Sequence, residues 1–503
     1  MAYTPHDHDI AVQKLSNEVK TLHESKTPFR INHGSTNSTR VRAAGTPELN
    51  IAHLNNIISV DKYSKSAIVE PNVPLDKLVP ATLKQGLLPP VVMEFPGITV
   101  GGGFSGASAE SSSWREGLFD CSITSIEVIL GNGETVRAEK GGDNADLFSM
   151  ARCALGTLGV VTLLTVRLIE AKDFVEVTYH RTTSVKSTID KVAELCEGEY
   201  EKETKMGQGG FDFIEGIQFS TTHGVVTTGR LAASASKPNT RVQRFDRGKD
   251  PWFYQHARGI TADSGANTHV ELVPTTSYLF RHDRGAFWSG DTFFSTFAIP
   301  NNAFFRWFFN PALTTRAVYK NMHANGGPET NIVQDLIIPK ATAEEFANYV
   351  IDELGIWPLW VCPIGGKDQL RKHKLSKKED LFINFGVWGT GPDSPPEFRR
   401  VNRRMESVLN RLRGMKVLYA YSFYTEDEFW SIYDKQRYLD ARKKYHAEAL
   451  PDIYEKVRRR ESPAPVEEKD KPLGQRVLER LFKIWPFGGL IVGAMAWWGK
   501  FGE

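Results

Sequence analysis

The stretch Thr99–Ser113, T-V-G-G-G-F-S-G-A-S-A-E-S-S-S, limits what this chain can fold into more than any other. It holds four glycines, Gly101, Gly102, Gly103 and Gly106, followed by small hydroxyl residues. A hydrophobic approach over Val91–Phe95 leads into it. Glycine lets a backbone approach a ligand closely or take positive φ, and a run of free backbone N–H groups makes an anion site. A tight loop without a ligand is the competing reading. No Gly-Lys-Ser/Thr follows, so this is not a Walker loop. The G-x-G-x-x-G spacing is only loosely met, and the stretch lies far from a first βαβ turn.

Two other loops share its character. Phe29–Arg40, F-R-I-N-H-G-S-T-N-S-T-R, reads as a short strand breaking into a polar turn. Asn32, His33, Gly34, Ser35, Thr36, Asn37 and Ser38 offer donors of the kind a pyrophosphate needs. A hairpin or helix-cap turn would use the same residues. Gly156-Thr157-Leu158-Gly159 precedes a β-rich run, Val160–Ile169. Around these loops, Asp9–Ser25 carries Val12, Leu15, Val19 and Leu22 at helical spacing. Leu54–Ile58 and Ser66–Glu70 read as strands, and Leu75–Gln85 as a helix closed by Gly86. Ile123–Leu130 and Glu134–Ala138 form a hairpin signal about Gly131–Gly133, and Asp143–Arg152 reads as a helix.

From Phe174 the texture changes. Phe293–Phe309 alone holds Phe293, Phe294, Phe297, Phe304, Phe305, Trp307, Phe308 and Phe309. Such density fills a large core, or it lines a wide apolar pocket or a membrane-facing surface. Asn331–Pro339, Trp357–Pro363 and Leu381–Trp388 read as buried strands, and Met415–Tyr424 as another. Glu426–Tyr433 and Lys435–Tyr445 read as helices. Glu461–Gln475 is a charged, Pro-rich linker. Ile484–Gly499 then runs without a charge between Lys483 and Lys500 and carries three tryptophans. As a helix it would span about 24 Å, short of a roughly 30 Å hydrocarbon core. Its tryptophans and lysines suit an interface, so the reading is a membrane-associating tail, with a terminal helix docked on the body as the alternative.

A length of 503 residues implies two or three domains. With 62 Lys+Arg against 60 Asp+Glu, the charge balance argues against a nucleic-acid partner. Cys121, Cys153, Cys196 and Cys362 are scattered, which suggests neither a metal site nor a disulfide framework, and fits a cytosol-facing body. Met1–Ile10 has no basic or apolar signal region, so no cleaved signal peptide is expected.

The first half resembles the PCMH-type FAD-binding domain of the vanillyl-alcohol oxidase superfamily. The order of parts matches: an early polar loop, a strand pair, a P-x-(hydrophobic)-T-V-G-G motif, a hairpin, then G-T-L-G before a last strand. Within it, L-P-P-V-V-M-E-F-P-G-I-T-V-G-G-G-F-S-G-A-S-A-E-S-S-S-W-R-E-G-L-F is similar to the Δ24-sterol reductases. Asp146-Leu147-Phe148, Cys153–Gly159, Lys249–Phe253, Tyr278–Gly285, Trp357–Pro363 and Glu428-Phe429-Trp430 extend the likeness to about Arg460. Those reductases carry an N-terminal anchor, whereas here the apolar segment is C-terminal.

The resemblance implies an α+β fold. A two-subdomain PCMH-type FAD-binding domain (1–172) would precede an α+β substrate or cap domain with a mixed or antiparallel sheet (173–460). A linker (461–475) and the apolar tail (476–503) would follow. It further implies FAD and NADPH as cofactors. Cofactor binding is expected from Asn32, His33, Gly34, Ser35, Thr36, Asn37, Ser38, Thr99, Val100, Gly101, Gly102, Gly103, Phe104, Ser105, Gly106, Ala107, Ser108, Ala109, Glu110, Ser111, Gly156 and Gly159. The order His33-Gly34-Ser35 departs from the G-H-S/T of covalent flavoproteins, so FAD is expected noncovalently, with His33 the one candidate for a link. The implied reaction is reduction of a sterol side-chain C24=C25 bond, which needs an acid on one face and reduced flavin on the other. Tyr424, Glu426, Asp427 and Tyr445 lie in the segment that, by resemblance, returns toward the flavin, and Tyr424, Glu426 and Tyr445 are the expected catalytic residues. No second Gly-rich dinucleotide motif is present, so NADPH would dock at the same flavin face. The expected partner is a sterol or similar bulky apolar molecule. The expected location is at the endoplasmic-reticulum membrane with a cytosol-facing body, the cytoplasm being the alternative. An FAD-dependent oxidase or dehydrogenase of an alcohol, sugar lactone or terpenoid is the alternative.

Overall fold

The computed structural model describes residues 3–34, 38–40, 45–206, 210–236, 238–262, 268–324, 331–365 and 381–459. The linker and the apolar tail lie outside them.

Among the described residues, the first part of the chain has nine strands. In chain order they are β1 (Arg30–Asn32), β2 (Glu48–Asn50), β3 (Ile57–Asp61), β4 (Ser66–Val69), β5 (Leu87–Leu88), β6 (Ile123–Ile129), β7 (Thr135–Glu139), β8 (Val160–Arg167) and β9 (Ile169–Glu170). β1 and β2 pair in parallel, and β5 and β9 antiparallel. The remaining five form one sheet in the order β3-β4-β8-β6-β7, antiparallel throughout. β8 buries every second residue along V-V-T-L-L-T-V-R, the period-2 pattern of a strand with one core face. The first helix, Pro5–Glu24, opens on a capping box between Thr4 and Asp7 and packs Val12, Leu15 and Val19 inward, at the spacing seen in the sequence.

The second part is built on an eight-stranded antiparallel sheet. Its strands are β10 (Phe174–Thr182), β11 (Phe213–Ser220), β12 (His223–Ala232), β13 (Thr268–Pro274), β14 (Asn331–Pro339), β15 (Leu359–Gly365), β16 (Leu381–Thr390) and β17 (Met415–Lys416). Their order is β13-β10-β12-β11-β15-β16-β14-β17. β15 and β16 are buried almost end to end, as their unbroken apolar runs require. The fold is α+β, as expected.

Several elements differ from the sequence reading or have no counterpart in it, and the strand expected at Leu54–Ile58 lies at Ile57–Asp61. Only Met415–Lys416 of the run to Tyr424 is a strand, because pairing with β14 stops at Lys416. Val100–Gly106 is a short helix, not a loop. The aromatic run after Phe287 forms two helices, Ser289–Thr296 and Ala303–Phe309, whose rings pack on one another and leave Phe304 and Trp307 exposed. No helix among the described residues is long and apolar enough to cross a membrane.

Candidate active site

One cavity lies between the two parts. On one side it is lined by His33, Ser38, Arg40 and the glycine helix with its continuation to Ala109. On the other it is lined by Asp335 of β14, Trp360 of β15, and Asn384 and Trp388 of β16. Gly156, Gly159 and Lys456 close one end.

The glycines act by leaving room, not by offering free donors. Gly101 N–H donates to the Pro71 carbonyl at 2.8 Å, and Gly103 N–H to the Thr99 carbonyl at 2.8 Å. Gly102 N–H donates to Thr99 Oγ1 at 3.1 Å, the helix N-cap. A Cβ on Gly101 would stand 2.7 Å from Pro71 Cβ and 2.9 Å from its carbonyl oxygen, whereas one on Gly106 would meet nothing within 4 Å. The helix end is held by the G-T-L-G approach: Cys153 N–H donates to the Phe104 carbonyl and Leu155 N–H to that of Ser105, each at 3.0 Å. Gly101→Ala is therefore expected to push the helix off Pro71, costing about 1–3 kcal/mol. Thermal unfolding and the flavin-to-protein ratio of the purified variant measure this, and an unchanged ratio with an unchanged melting temperature would contradict it.

Cations replace the missing backbone donors. Arg40 is half-buried on the cavity wall, and among the described residues its guanidinium donates to Ser38 Oγ and to the carbonyls of Tyr419 and Lys456. Lys456, from the last described helix (Ile453–Val457), donates to the Leu155 carbonyl. Neither pairs with a carboxylate among the described residues. Burial, with repulsion from Arg40 and Arg30, brings the Lys456 ammonium down to about 7. Burial lowers Arg40 only to about 10, so it stays charged. Two like charges on one cavity wall, neither paired with a carboxylate among the described residues, are the donor set for a phosphate-bearing ligand.

The other end is aromatic and carries unpartnered acceptors. Phe95 packs edge-on against Trp388 and Phe287, with centroids 5.4 and 5.6 Å apart. Glu94 Oε1 and Asn384 Oδ1 are buried without a hydrogen-bond partner, and both residues line the cavity. Burial, then the charge of Glu110, raises the Glu94 carboxyl well above the usual range. A flat heteroaromatic ring edged with N–H and C=O groups would satisfy such atoms. Cations at one end and unsatisfied polar edges among aromatics at the other fit FAD.

Behind this wall the quoted motifs meet in one buried knot. Arg281 donates to Glu215 Oε1 through Nε at 2.8 Å and to Ser111 Oγ at 3.0 Å, and stands 3.5 Å from Glu110. Ser111 Oγ donates to Glu110 Oε1 at 2.5 Å. His282 and Trp360 reach Glu215 Oε2 at 3.0 and 2.8 Å. Burial alone would push Glu215 up, but Arg281 and His282 hold it well below the usual carboxylate range.

Twelve expected cofactor residues line the cavity: His33, Ser38, Thr99, Gly101, Gly102, Ser105, Gly106, Ala107, Ser108, Ala109, Gly156 and Gly159. Val100, Gly103 and Phe104 face the core instead, Asn32 is in β1 against Glu48, and Gly34 turns the chain beside it at φ 74°. Glu110 and Ser111 belong to the knot. Ser35, Thr36 and Asn37 lie outside the described residues.

The expected catalytic residues are not brought to the cavity. Tyr424 OH donates to Asn410 Oδ1 at 3.0 Å, exposed Glu426 pairs with Lys435 at 3.0 Å, and Tyr445 OH donates to Asp146 at 2.7 Å. Asp427 is exposed on the same helix. Each side chain is occupied locally or faces solvent. The returning segment does reach the cavity, through Val417 and Tyr419.

Arg40, Lys456, Glu94, Asp335, Asn384 and Tyr419 were not singled out from sequence. Signals existed for four of them. Between Glu24 and Glu48 the chain has four cations and no acid, Arg40 among them. Glu94 and Asn384 are single polar residues inside apolar runs, and Asp335 follows Gln334 within I-V-Q-D-L-I-I, where burial makes a polar group costly.

A family model described as an FAD binding domain matches residues 11–139. Delta(24)-sterol reductase of Pisum sativum is 28% identical over 480 residues, covering 88% of this chain and 82% of its own length. The human Delta(24)-sterol reductase is 26% identical, over 80% of this chain and 76% of its own. Mitochondrial L-galactono-1,4-lactone dehydrogenase of Brassica oleracea is 27% identical, but over only 33% of this chain and 27% of its own. With an FAD binding domain at its start and a likeness that runs on through the eight-stranded sheet, the chain is an FAD-dependent oxidoreductase similar along most of its length to the Delta(24)-sterol reductases.

Proposed function

We propose that the chain reduces the isolated side-chain C24=C25 double bond of a sterol, with NADPH as the electron source and FAD held noncovalently. The observation that carries this reading is the extent of the likeness. It spans four-fifths of the chain or more, including the part that supplies the aromatic wall, whereas the lactone dehydrogenase match covers a third. Bound FAD, once reduced, supplies a hydride. The chain's own work is to bind, orient and keep water out. Arg40 and Lys456 would hold the pyrophosphate. Glu94 and Asn384 would meet the polar edge of the ring system. Phe95, Phe287, Trp360 and Trp388 would pack the apolar substrate and exclude water from the reacting carbons. Association with the membrane that holds the sterol belongs to this reading, with the tail over 476–503 as the contact.

Anaerobic spectroscopy tests it. NADPH should bleach the flavin's visible absorbance, and a Δ24-sterol should restore it with formation of the saturated side chain. A flavin that NADPH leaves oxidised but an alcohol or lactone reduces would instead make the chain a dehydrogenase.

A further inference from the structure

We propose that Asp335 is the acid that protonates the double bond, with Tyr419 as the residue that positions it. The inference rests on the reductase reading given above. An isolated alkene takes up hydride only as one of its carbons gains a proton, so the site needs a proton donor facing the cofactor across the substrate. Glu94 is on the wrong side for this. It belongs to the wall of the FAD domain, where its neighbour Met93 packs on Gly103; a Cβ there would fall 2.6 Å from the Met93 sulfur. Asp335 belongs to the facing sheet and lines the same cavity.

The surroundings of Asp335 suit an acid. Asn384 Nδ2 donates to its Oδ1 at 2.8 Å and Tyr419 OH to its Oδ2 at 2.9 Å. No cation pairs with it among the described residues. Lys416, on the adjacent β17, is committed to Glu406 at 2.9 Å. The titratable groups around it are Tyr319, Tyr419 and Cys362. Burial outweighs both hydrogen bonds and shifts the carboxyl toward its protonated form. The same two donors would stabilise the carboxylate as it forms.

The step balances. The O–H bond of Asp335 breaks as the alkene π pair forms a C–H bond at one carbon. A hydride from the bound, reduced flavin forms the second C–H bond. The alkene gains the two electrons that the flavin loses, and the Asp335 carboxylate regains a proton from solvent before the next turnover. The Tyr419 carbonyl also accepts from Ser38 Oγ at 2.8 Å and Arg40 Nε at 3.3 Å, so the backbone carrying the positioning residue is fixed to the opposite wall.

Stopped-flow measurements on the holoenzyme separate the possibilities. Asp335→Asn should slow reoxidation of NADPH-reduced flavin by a Δ24-sterol by roughly 10²- to 10⁴-fold, with the loss falling in this half-reaction rather than in bleaching by NADPH. Tyr419→Phe removes a donor to the carboxylate, so the pH at which reoxidation fails should move upward. Reoxidation of Asp335→Asn at the wild-type rate would overturn the assignment. So would the full loss in Glu94→Gln with Asp335→Asn still active. If Asp335→Asn does not retain flavin, an unmoved pH profile in Tyr419→Phe overturns it. Wild-type enzyme that NADPH bleaches but a Δ24-sterol fails to reoxidise would overturn the reductase reading itself.

Discussion

Replacing Lys456 by methionine is expected to weaken FAD binding by roughly ten- to hundredfold at pH 7, the worth of one charge-assisted hydrogen bond of about 1.5–3 kcal/mol. Arg40→Met should cost a similar factor. The pH dependence identifies the lysine. Without cofactor its ammonium titrates near 7, held down by burial and by Arg40 and Arg30. A pyrophosphate beside it would raise that value. Below pH 7 the lysine is already charged, so affinity should be flat. Above pH 7 binding must take up a proton, so the dissociation constant should rise by up to about tenfold per pH unit until the raised value is reached. Lys456→Met should abolish that slope, while Arg40→Met should keep it and shift it toward higher pH, because one repelling cation is gone. The folding linkage of the apoprotein has the opposite dependence. The native lysine binds its proton less readily than the unfolded one, so stability is gained as pH rises above 7 and lost as it falls through 7. Flavin fluorescence titrations at several pH values measure the affinities, and a slope unchanged in Lys456→Met would remove the lysine from the phosphate site.

That site shows which parts of the molecule could be read from its sequence. Local patterns were legible: the alternation of β8, the heptad-like face of Pro5–Glu24, the uninterrupted apolar runs of β15 and β16. The glycine stretch pointed to the right place for a different physical reason. Its N–H groups are consumed by Pro71 and Thr99, and the glycines serve close packing against Pro71, Met93 and Phe119. What could not be read were partners far apart in the chain. Lys456 meets Gly156 across 300 residues, and nothing near position 456 marks it as other than a surface lysine. Asp335 was visible as an acid in an apolar strand, but only the order β15-β16-β14 places it beside Asn384, and only the turn after β17 brings Tyr419 to it. The expected acid was sought in the returning segment, which brings Tyr419 to the cavity but leaves Tyr424, Glu426 and Tyr445 outside it.

Arg281→Met is expected to destabilise the protein by about 3–5 kcal/mol, because it removes the counter-charge of buried carboxylates rather than a surface pair. Arg281, Glu110 and Glu215 are all fully buried. Arg281 binds Glu215 directly, neighbours Glu110, and lies over the Tyr278 ring with its guanidinium carbon 4.2 Å from the centroid. Without the arginine, Glu215 keeps only His282 and Trp360 against a burial that by itself pushes its carboxyl up. The loss should therefore shrink as pH falls. Arg281→Lys retains the charge but cannot bridge Glu215 and Ser111 together, so it should fall between the two. The defect should also reach the cofactor. Ser111 follows the cavity-lining stretch by two residues, and Trp360 both donates to Glu215 and lines the cavity, so loosening the knot moves both walls at once. Flavin release should then precede global unfolding in urea. Tryptophan and flavin fluorescence followed in one titration would show two separated transitions in Arg281→Met and coincident ones in the wild type. Coincident transitions within 1 kcal/mol of wild type would mean that the three motifs meet there for packing alone. The separation is expected because Glu110, beyond the glycine helix, and Glu215, in β11, belong to the two opposite walls and are joined through one guanidinium.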